Sequence, residues 1–313
     1  MGEGGSATHL ALVGPTASGK SALGLEVARA LGDVEIVSID SMQIYRGMDV
    51  GTAKPTRAER ERVPHHMVDV ADPWEDWSVA RFQAAAREAV TEIEARGKRA
   101  LLLGGTGLYV QAVVDDLRFP GEDLDRRADL AARVATPDGL AAAYRELEAV
   151  DPVAASRIEP ANSRRVVRAL EVIGTTGKPF SSFGPGVQAR GPTALPVSMV
   201  GVWLPRAVLA DRIAQRFAVM REAGLVEEVR ALAAEPRGWS RTARQAIGYK
   251  EVLAHLDGGA PDLEAAFDAA VRRTRAFSRR QRMWFRRDPR ITWFGAPENS
   301  CAVLPALLAW WCR

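Results

Sequence analysis

The residues with the clearest chemical potential lie near the start of the chain. Between Gly14 and Ser21 the sequence reads GPTASGKS. This run fits the P-loop pattern G-x-x-x-x-G-K-[ST], in which backbone N–H groups face phosphate oxygens. The helix that follows such a loop adds the positive end of its dipole. Lys20 adds a full positive charge and the Ser21 hydroxyl is placed to bind Mg²⁺, so the run predicts a phosphate-binding loop.

A carboxylate follows a second apolar run, in the stretch IVSIDSMQIY that contains Asp40. P-loop enzymes that act on nucleoside triphosphates also use an acid at a strand end to hold the metal. The more obvious strand, ALLLGGTG, ends without one. Three roles therefore stay open for Asp40: a general base, an indirect metal ligand, or a cap of the next turn. Its neighbour Gln43 carries both a donor and an acceptor, which suits the edge of a base.

Arginines cluster near the other end of the chain. Residues 272–290 contain nine arginines and one acid, Asp288. Five of the nine recur at spacings of three and four and so share one helix face about 20 Å long. These five are Arg272, Arg275, Arg279, Arg282 and Arg286. Like charges in a row repel one another, so a track for a phosphate backbone competes with a solvated basic face as the interpretation.

Length and composition indicate an ordinary globular protein. The chain has 313 residues, of which 47% are hydrophobic and 26% charged, and the length suggests about two domains. No apolar run reaches the roughly 18 residues that span a bilayer, which predicts no membrane contact. The N-terminal segment lacks a basic region and a cleavage site, so we expect no export signal and a cytoplasmic location. Cys301 and Cys312 lie outside any zinc-type cluster.

The elements that must position the P-loop and Asp40 alternate between strands and helices. Apolar runs precede Gly14 and Asp40, and further runs cover 99–105 and 197–205. Amphipathic helical patterns separate these runs. The alternation predicts an α/β fold with a P-loop NTPase-like core, in which helices flank a parallel sheet.

The pattern changes in the middle of the chain. Residues 118–195 carry little strand signal and predict a mostly helical insertion domain. Residues 1–117 and 196–313 then form the α/β catalytic core. A long helix over 262–287 is expected to carry the arginines on one face and an apolar stripe on another.

Taken together, these stretches resemble one family, the tRNA dimethylallyltransferases, also called tRNA isopentenyltransferases. The matching blocks, in the family's order, are GPTASGKS, DSMQIYRGMDVGTAKP, PHHMVDV, SVARF, GGTGLYVQA, RRVVRALEV, TGKP, QAIGYKE and RRQRMWFR. They extend from about residue 10 to residue 290. One departure is the pair Asn162-Ser163, where the family often has Asn-Asp.

The resemblance implies transfer of a dimethylallyl group from dimethylallyl diphosphate to tRNA. The acceptor would be the exocyclic N6 amine of the adenine 3′ to the anticodon, with Mg²⁺ assisting and diphosphate leaving. The P-loop would bind the diphosphate, through Gly14, Thr16, Ala17, Ser18, Gly19, Lys20 and the metal ligand Ser21. Asp40, Lys20 and Thr16 would be catalytic. An arginine of LADRIAQRF would meet the diphosphate, and both Arg212 and Arg216 qualify.

The resemblance also assigns tRNA contacts to several stretches. The expected contacts are Asp40, Ser41, Met42, Gln43, Thr106, Arg164, Arg165, Arg168, Arg244, Gln245, Gly248, Tyr249, Arg279, Arg280, Gln281, Arg282 and Arg286. The insertion domain would contact the anticodon stem-loop. We expect Trp284 to pack in the core rather than stack on a base, and the chain to be a monomer.

Two other functions compete with this interpretation. One is a P-loop kinase of a small metabolite, with the arginines of 164–168 as a lid. The other is an RNA-binding module that has lost catalysis. The strand end without an acid and the arginine face argue against the kinase. The presence of Lys20, Ser21 and Asp40 argues against the inactive module.

Overall fold

The computed structural model describes residues 9–184, 186–188, 190–259 and 262–312. The N-terminal segment behind the expectation of no export signal lies mostly outside these residues. Two compact units make up the chain: one combines the residues up to Asp116 with those from Arg190 onward, and the other is Leu117–Ala189.

A parallel sheet organises the first unit. Its strands in the described part of the chain are β1 (His9–Val13), β2 (Val34–Ile39), β3 (His65–His66), β4 (Arg99–Gly104), β5 (Val197–Trp203) and β6 (Ile291–Gly295). Their order is β3-β2-β4-β1-β5-β6, and every pairing is parallel. The predicted α/β fold with a parallel sheet is confirmed. β6 was not expected, because only one of its five residues is fully buried and the apolar run is short.

Helices cover both faces of this sheet, as parallel strands require. The first unit contains α1 (Lys20–Leu31), α2 (Arg57–Arg62), α3 (Val79–Ala95), α4 (Gly107–Asp115), α9 (Arg206–Glu222), α10 (Leu225–Ala233), α11 (Tyr249–Leu256), α12 (Leu263–Phe285) and α13 (Leu304–Trp311). Its short 3₁₀ helices are Ala243–Gln245 and Ser300–Val303. Two apolar clusters, one on each face, form the core of the unit.

The second unit is helical in all of its described regular elements. These are α5 (Leu124–Arg133), α6 (Pro137–Val150), α7 (Pro152–Ala155), α8 (Ser163–Thr176) and the 3₁₀ helices Phe180–Phe183 and Gly186–Gln188. A separate apolar cluster holds them together. Asn162 caps α8 by accepting a hydrogen bond from the Arg165 N–H at 3.3 Å, so the departure at Asn162-Ser163 falls on a helix cap.

The long helix α12 has the two faces expected from its sequence. Phe267, Ala270 and Thr274 of the predicted apolar stripe are buried, while Arg272 and Arg279 are exposed. Asp262 caps the first turn through the Ala265 N–H at 2.6 Å. Within the described residues, every helix is too short or too polar to cross a bilayer.

A buried acid lies at the amino-terminal edge of the sheet, away from the strand ends that carry the P-loop and Asp40. Glu35 of β2 is 3% exposed. Its carboxylate accepts hydrogen bonds from His66, Arg96 and Lys98 at 2.7, 2.7 and 2.9 Å. Burial acts to raise the pKa of Glu35, but these donors outweigh it and hold the pKa at about 2, below the ordinary 4.5.

We expect Glu35→Gln to lower the free energy of unfolding at pH 7 by about 3 kcal/mol, because it leaves the Arg96 and Lys98 cations without their anion. Since the pKa of Glu35 is depressed, its contribution is present above pH 4.5 and is lost as the pH falls toward about 2. Urea unfolding followed by circular dichroism at several pH values should show the two proteins converging in acid. The exposed Glu88→Gln is the matched control. A constant difference across the pH range would contradict this account.

Candidate active site at the carboxyl edge of the sheet

The P-loop joins β1 to α1 at the edge of the sheet where the parallel strands end. Gly19 has φ +80°, a conformation that L side chains rarely adopt, and the helix begins at the next residue. Ala17 also lies in the left-handed region at φ 64°. The Ser18 N–H donates to the Pro15 carbonyl at 3.2 Å. Alternation of left- and right-handed backbone is how a loop turns successive N–H groups toward one anion.

Adjacent strand ends supply the other parts of the site. Asp40 follows β2, and Gly105 and Thr106 follow β4, which lies between β2 and β1. Ligands of open α/β sheets bind outside the carboxyl ends of the strands. The topology therefore brings the predicted loop, the predicted acid and Thr106 to one edge.

Gln281 of α12 connects the P-loop to the end of β4. The Thr16 N–H donates to its Oε1 at 2.8 Å, and its Nε2 donates to the Gly105 carbonyl at 2.8 Å. The side chain is 6% exposed. Both ends of the Gln281 amide are thus engaged inside the protein, and its contact with tRNA stays a prediction.

Two cations and one carboxylate form the electrostatic centre of the site. Burial lowers the pKa of Lys20 to about 8 from 10.5; the Asp40 carboxylate acts in the opposite direction and the Arg216 guanidinium lowers it further. Burial also lowers the pKa of Arg216, against the effect of Asp40. Lys20, Arg216 and Asp40 are therefore close enough to influence one another's charge.

The two arginines of α9 do different things. Arg216 donates to Thr16 Oγ1 at 3.4 Å and to the Thr52 carbonyl at 3.3 Å. Arg212 donates to the Ala17 carbonyl at 3.4 Å and to the Glu298 carbonyl at 2.9 Å. Arg216 thus belongs to the charged centre, whereas Arg212 connects the P-loop to the segment before the last helix.

Asp40 itself is half-buried, and one of its carboxylate oxygens accepts the Met42 N–H at 2.9 Å. This bond makes Asp40 a turn cap, which is one of the three roles left open. It uses only one of the two carboxylate oxygens. The Gln43 amide bonds the Ser38 hydroxyl at 2.8 Å and the Thr52 and Ala53 carbonyls at 3.2 Å each.

A neighbour of Asp40 escaped the sequence analysis. Tyr109 of α4 packs edge-on against Phe82, with ring centroids 4.8 Å apart. Burial, Tyr45 and Asp40 together raise the pKa of Tyr109 to about 12. The tyrosine lies in the block GGTGLY, which carried the only available signal for it.

The remaining residues expected to touch tRNA fall into separate groups. Ser41, Met42 and Thr106 are half-buried at the carboxyl edge, and Arg244 and Gln245 are exposed before α11. Gly248 is buried at the start of α11. Tyr249 is fully buried, and its hydroxyl contacts Glu228 and accepts the Gly51 N–H. The Tyr249 side chain is therefore enclosed by the protein, and its contact with tRNA stays a prediction.

The arginine face of α12 is not uniform. Arg279, Arg280 and Arg286 are exposed. Arg282 is half-buried with its guanidinium 5.0 Å from the Trp203 ring centre, and burial together with Arg206 and Arg286 lowers its pKa. No acidic side chain is among these causes of the pKa shift of Arg282. A cluster of cations of this kind is suited to bind a phosphate backbone.

Trp284 takes up the position expected for a packing residue. The ring lies so close to Gly107, the first residue of α4, that a Cβ there would overlap it. It is half-buried and packs against the core cluster.

The arginines of α8 belong to the second unit. Arg164 is exposed and Arg165 half-buried. Arg168 donates to the Pro120 carbonyl at 2.7 Å and to Glu171 at 2.8 Å, so it has a structural task within that unit.

Comparison with known proteins decides the family. A family model described as IPP transferase matches residues 43–288, and one described as isopentenyl transferase matches residues 7–70. The chain belongs to the IPP transferase family. A relative from Kineococcus radiotolerans, named tRNA dimethylallyltransferase, is 50% identical over 296 residues that cover 93% of this chain and 92% of the relative. One from Salinispora arenicola with the same name is 52% identical over 302 residues, covering 96% and 86%.

Solved structures agree with this assignment. A tRNA isopentenylpyrophosphate transferase from Bacillus halodurans is 40% identical, with a TM-score of 0.70, and the match covers 97% of this chain and 95% of the other. A eukaryotic dimethylallyltransferase described as acting on tRNA is 26% identical, with a TM-score of 0.76 and coverages of 92% and 74%. The resemblance drawn from the sequence is confirmed, and the kinase interpretation finds no support among these relatives.

The pKa of Lys20 predicts how the affinity of this protein for inorganic diphosphate should depend on pH. With a pKa of about 8, Lys20 is charged below pH 8 and becomes neutral above it. We expect the Kd for inorganic diphosphate to rise by up to about tenfold per pH unit above pH 8, through loss of that proton. Isothermal titration calorimetry between pH 6.5 and 9.5 measures this.

The control for this prediction is Lys20→Arg, whose guanidinium stays charged throughout. Titration of the ligand itself is common to both proteins. Identical pH profiles for the two would show that Lys20 does not carry the effect.

Proposed function

We propose that this chain transfers a dimethylallyl group from dimethylallyl diphosphate to the N6 amine of the adenine 3′ to the anticodon in tRNA. The observation that carries the proposal is the grouping of Lys20 and Arg216 with the Asp40 carboxylate beside the P-loop. An anion cradle next to a base suits a reaction in which an anion leaves and an amine loses a proton. The names of the relatives point to the same reaction.

In this proposal the P-loop binds the donor's diphosphate. The ligands are Gly14, Thr16, Ala17, Ser18, Gly19, Lys20 and Ser21. As the allylic C–O bond breaks, its electron pair moves to the departing diphosphate, and the negative charge there grows. Loop N–H groups and Lys20 stabilise that charge in a site already organised for it.

Arg216, rather than Arg212, is the arginine we assign to the diphosphate. Its two contacts, at 3.4 Å to Thr16 Oγ1 and 3.3 Å to the Thr52 carbonyl, are long for hydrogen bonds. A dianionic ligand would give the guanidinium stronger, charge-assisted partners. Arg212 instead donates to the carbonyls of Ala17 and Glu298, the latter at 2.9 Å.

Asp40 acts at the acceptor end. The adenine amine attacks the carbon that the diphosphate leaves, so a C–N bond forms as the C–O bond breaks. The amine then carries an excess proton, and Asp40 is the base that takes it. The bond from the Met42 N–H orients the carboxylate while one oxygen stays available for this task.

The residues present fit a magnesium ion as cofactor. Mg²⁺ prefers oxygen ligands and keeps several waters while binding one or two protein groups and substrate phosphates. Ser21 presents an exposed hydroxyl at the first turn of α1, and no cluster of three or more His, Cys, Asp or Glu side chains stands ready as a complete cage in the described residues. When bound, the ion would neutralise charge on the diphosphate.

The tRNA surface in this proposal combines the exposed arginines of α12 with Arg244 and Gln245. Phosphate contacts would come from Arg279, Arg280, Arg282 and Arg286. The target adenine must leave its stack to reach Asp40, and single-stranded loops allow this most readily. The contact of the 118–195 region with the anticodon stem-loop, the monomeric state and a cytoplasmic location complete the proposal.

The decisive experiment supplies radiolabelled dimethylallyl diphosphate and an unmodified tRNA with adenine 3′ to the anticodon. We expect label in the tRNA, dependent on Mg²⁺, and none when that adenine is replaced by guanine. Asp40→Asn should lower kcat at least about 100-fold, as expected for loss of a general base, with little change in the Kd for tRNA. Transfer of phosphate from ATP to a small molecule, without prenyl transfer, would refute the proposal.

The arginine face of α12 leads to a separate prediction about the salt dependence of tRNA binding. Each phosphate contact contributes to the slope of log K against log salt concentration. We expect Arg279→Ala to weaken tRNA binding and to reduce that slope by roughly one unit. Filter binding at several KCl concentrations provides the measurement, with the exposed Arg57→Ala on α2 as control. An unchanged slope for Arg279→Ala would leave the face merely solvated.

A further inference from the structure

Glu228 of α10 binds a backbone turn at residues 49–51, which lies far from it in the sequence. Glu228 Oε2 accepts the N–H groups of Asp49 and Val50 at 3.0 and 2.8 Å. Its Oε1 faces the Gly51 N–H at 3.4 Å and the Tyr249 hydroxyl. A carboxylate that accepts several N–H groups fixes the path of the chain that donates them.

The turn fits closely against Tyr249. Gly51 approaches the Tyr249 ring so nearly that a Cβ at this position would overlap it. The Gly51 N–H also donates to the Tyr249 hydroxyl at 3.1 Å. Burial and the neighbouring Glu228 raise the pKa of Tyr249, so its hydroxyl keeps its proton and donates to the carboxylate.

The other side of the turn is equally constrained. Thr52 Oγ1 donates to the Met48 carbonyl at 2.7 Å. The buried Lys54 ammonium donates to the Tyr45 carbonyl at 2.7 Å and to Asp69 at 2.6 Å. With both sides fixed, the direction of the Thr52 carbonyl between them is set by the fold rather than by solvent.

That carbonyl points into the active site. It accepts Arg216 Nη2 at 3.3 Å and the Gln43 side chain at 3.2 Å. Arg216 has one other hydrogen bond in the described part of the chain, to Thr16 Oγ1. The guanidinium therefore takes its orientation from one P-loop hydroxyl and from one carbonyl held by the turn.

We propose that Glu228, with Tyr249, is a positioning residue for Arg216: it sets the Thr52 carbonyl and so orients the guanidinium toward the leaving diphosphate. This inference rests on the proposed function, since it assigns Arg216 to the diphosphate. It gives a physical task to a carboxylate and a tyrosine hydroxyl that both bind the backbone turn at residues 49–51. A shift of the turn rotates the carbonyl, and the planar guanidinium follows it because its donors are fixed in one plane.

A double-mutant cycle tests the inference with inorganic diphosphate as the probe. Glu228→Gln should raise the Kd for diphosphate about tenfold in the otherwise unchanged protein, within the coupling range of residues in one network. In the Arg216→Gln background the same change should alter the Kd less than about twofold, because no guanidinium remains to be oriented. Calorimetry gives all four values.

A purely structural role for Glu228 predicts a different result. It would lower affinity by the same factor in both backgrounds, and that outcome overturns the proposal, as does an unchanged Kd for Glu228→Gln. The exposed neighbour Glu227→Gln is the matched control, since it carries the same chemical change on α10. If Glu228→Gln fails to fold, Tyr249→Phe replaces it in the cycle and should show the same loss of effect in the Arg216→Gln background.

The cycle also separates this inference from the proposed function. Diphosphate binding is measured without prenyl transfer, so a coupled cycle supports Glu228 as a positioning residue even if the labelled donor gives no product. Prenyl transfer by the unchanged protein together with an additive cycle would leave the function intact and refute the positioning role.

Discussion

A buried amide group connects the parts of the site that lie farthest apart in sequence. Gln281 takes the Thr16 N–H with its oxygen and gives its own N–H to the Gly105 carbonyl, both at 2.8 Å. In doing so it fixes the P-loop, the end of β4 and α12 relative to one another. Because buried amides are costly to leave unpaired, this pair of bonds also fixes how α12 is rotated about its axis. Arg279 and Arg280, which precede Gln281 on that helix, then face outward.

Two cations and one carboxylate lie close together beside the P-loop. Lys20 and Arg216 share a partly desolvated region with one carboxylate, Asp40. Burial disfavours both cations, so an incoming dianion relieves an existing electrostatic cost while it forms new bonds. Arg212, which lies four residues before Arg216 on α9, donates instead to the carbonyls of Ala17 and Glu298. Adjacent turns of one helix thus supply one arginine to the charged centre and one to the contact with the Glu298 carbonyl.

The sequence predicted the parts of the site that depend on local chain direction. A strand, a glycine-rich turn and a helix define the P-loop, and an apolar run followed by an acid puts Asp40 at the same edge. The internal hydrogen bonds of Gln281 and Tyr249 were not predicted, because spacing says which residues share a face but not whether polar groups find partners inside the protein. Glu228 was missed altogether, since its bonds join residues 177 to 179 positions apart. β6 escaped notice because an edge strand of five residues carries little periodic signal.

The contacts of the P-loop with Gln281 and Arg212 have a consequence for the order of events during synthesis of the chain. Thr16 lies 265 residues before Gln281, and Ala17 depends through Arg212 on the carbonyl of Glu298. A ribosome therefore releases the P-loop long before Gln281 and Glu298, on which these contacts depend. Domains that begin to fold during synthesis do so from the amino terminus, yet here the P-loop lacks these contacts until residues 281 and 298 have emerged. In the proposed function, firm binding of the prenyl diphosphate would therefore wait until Gln281 and Glu298 have been released.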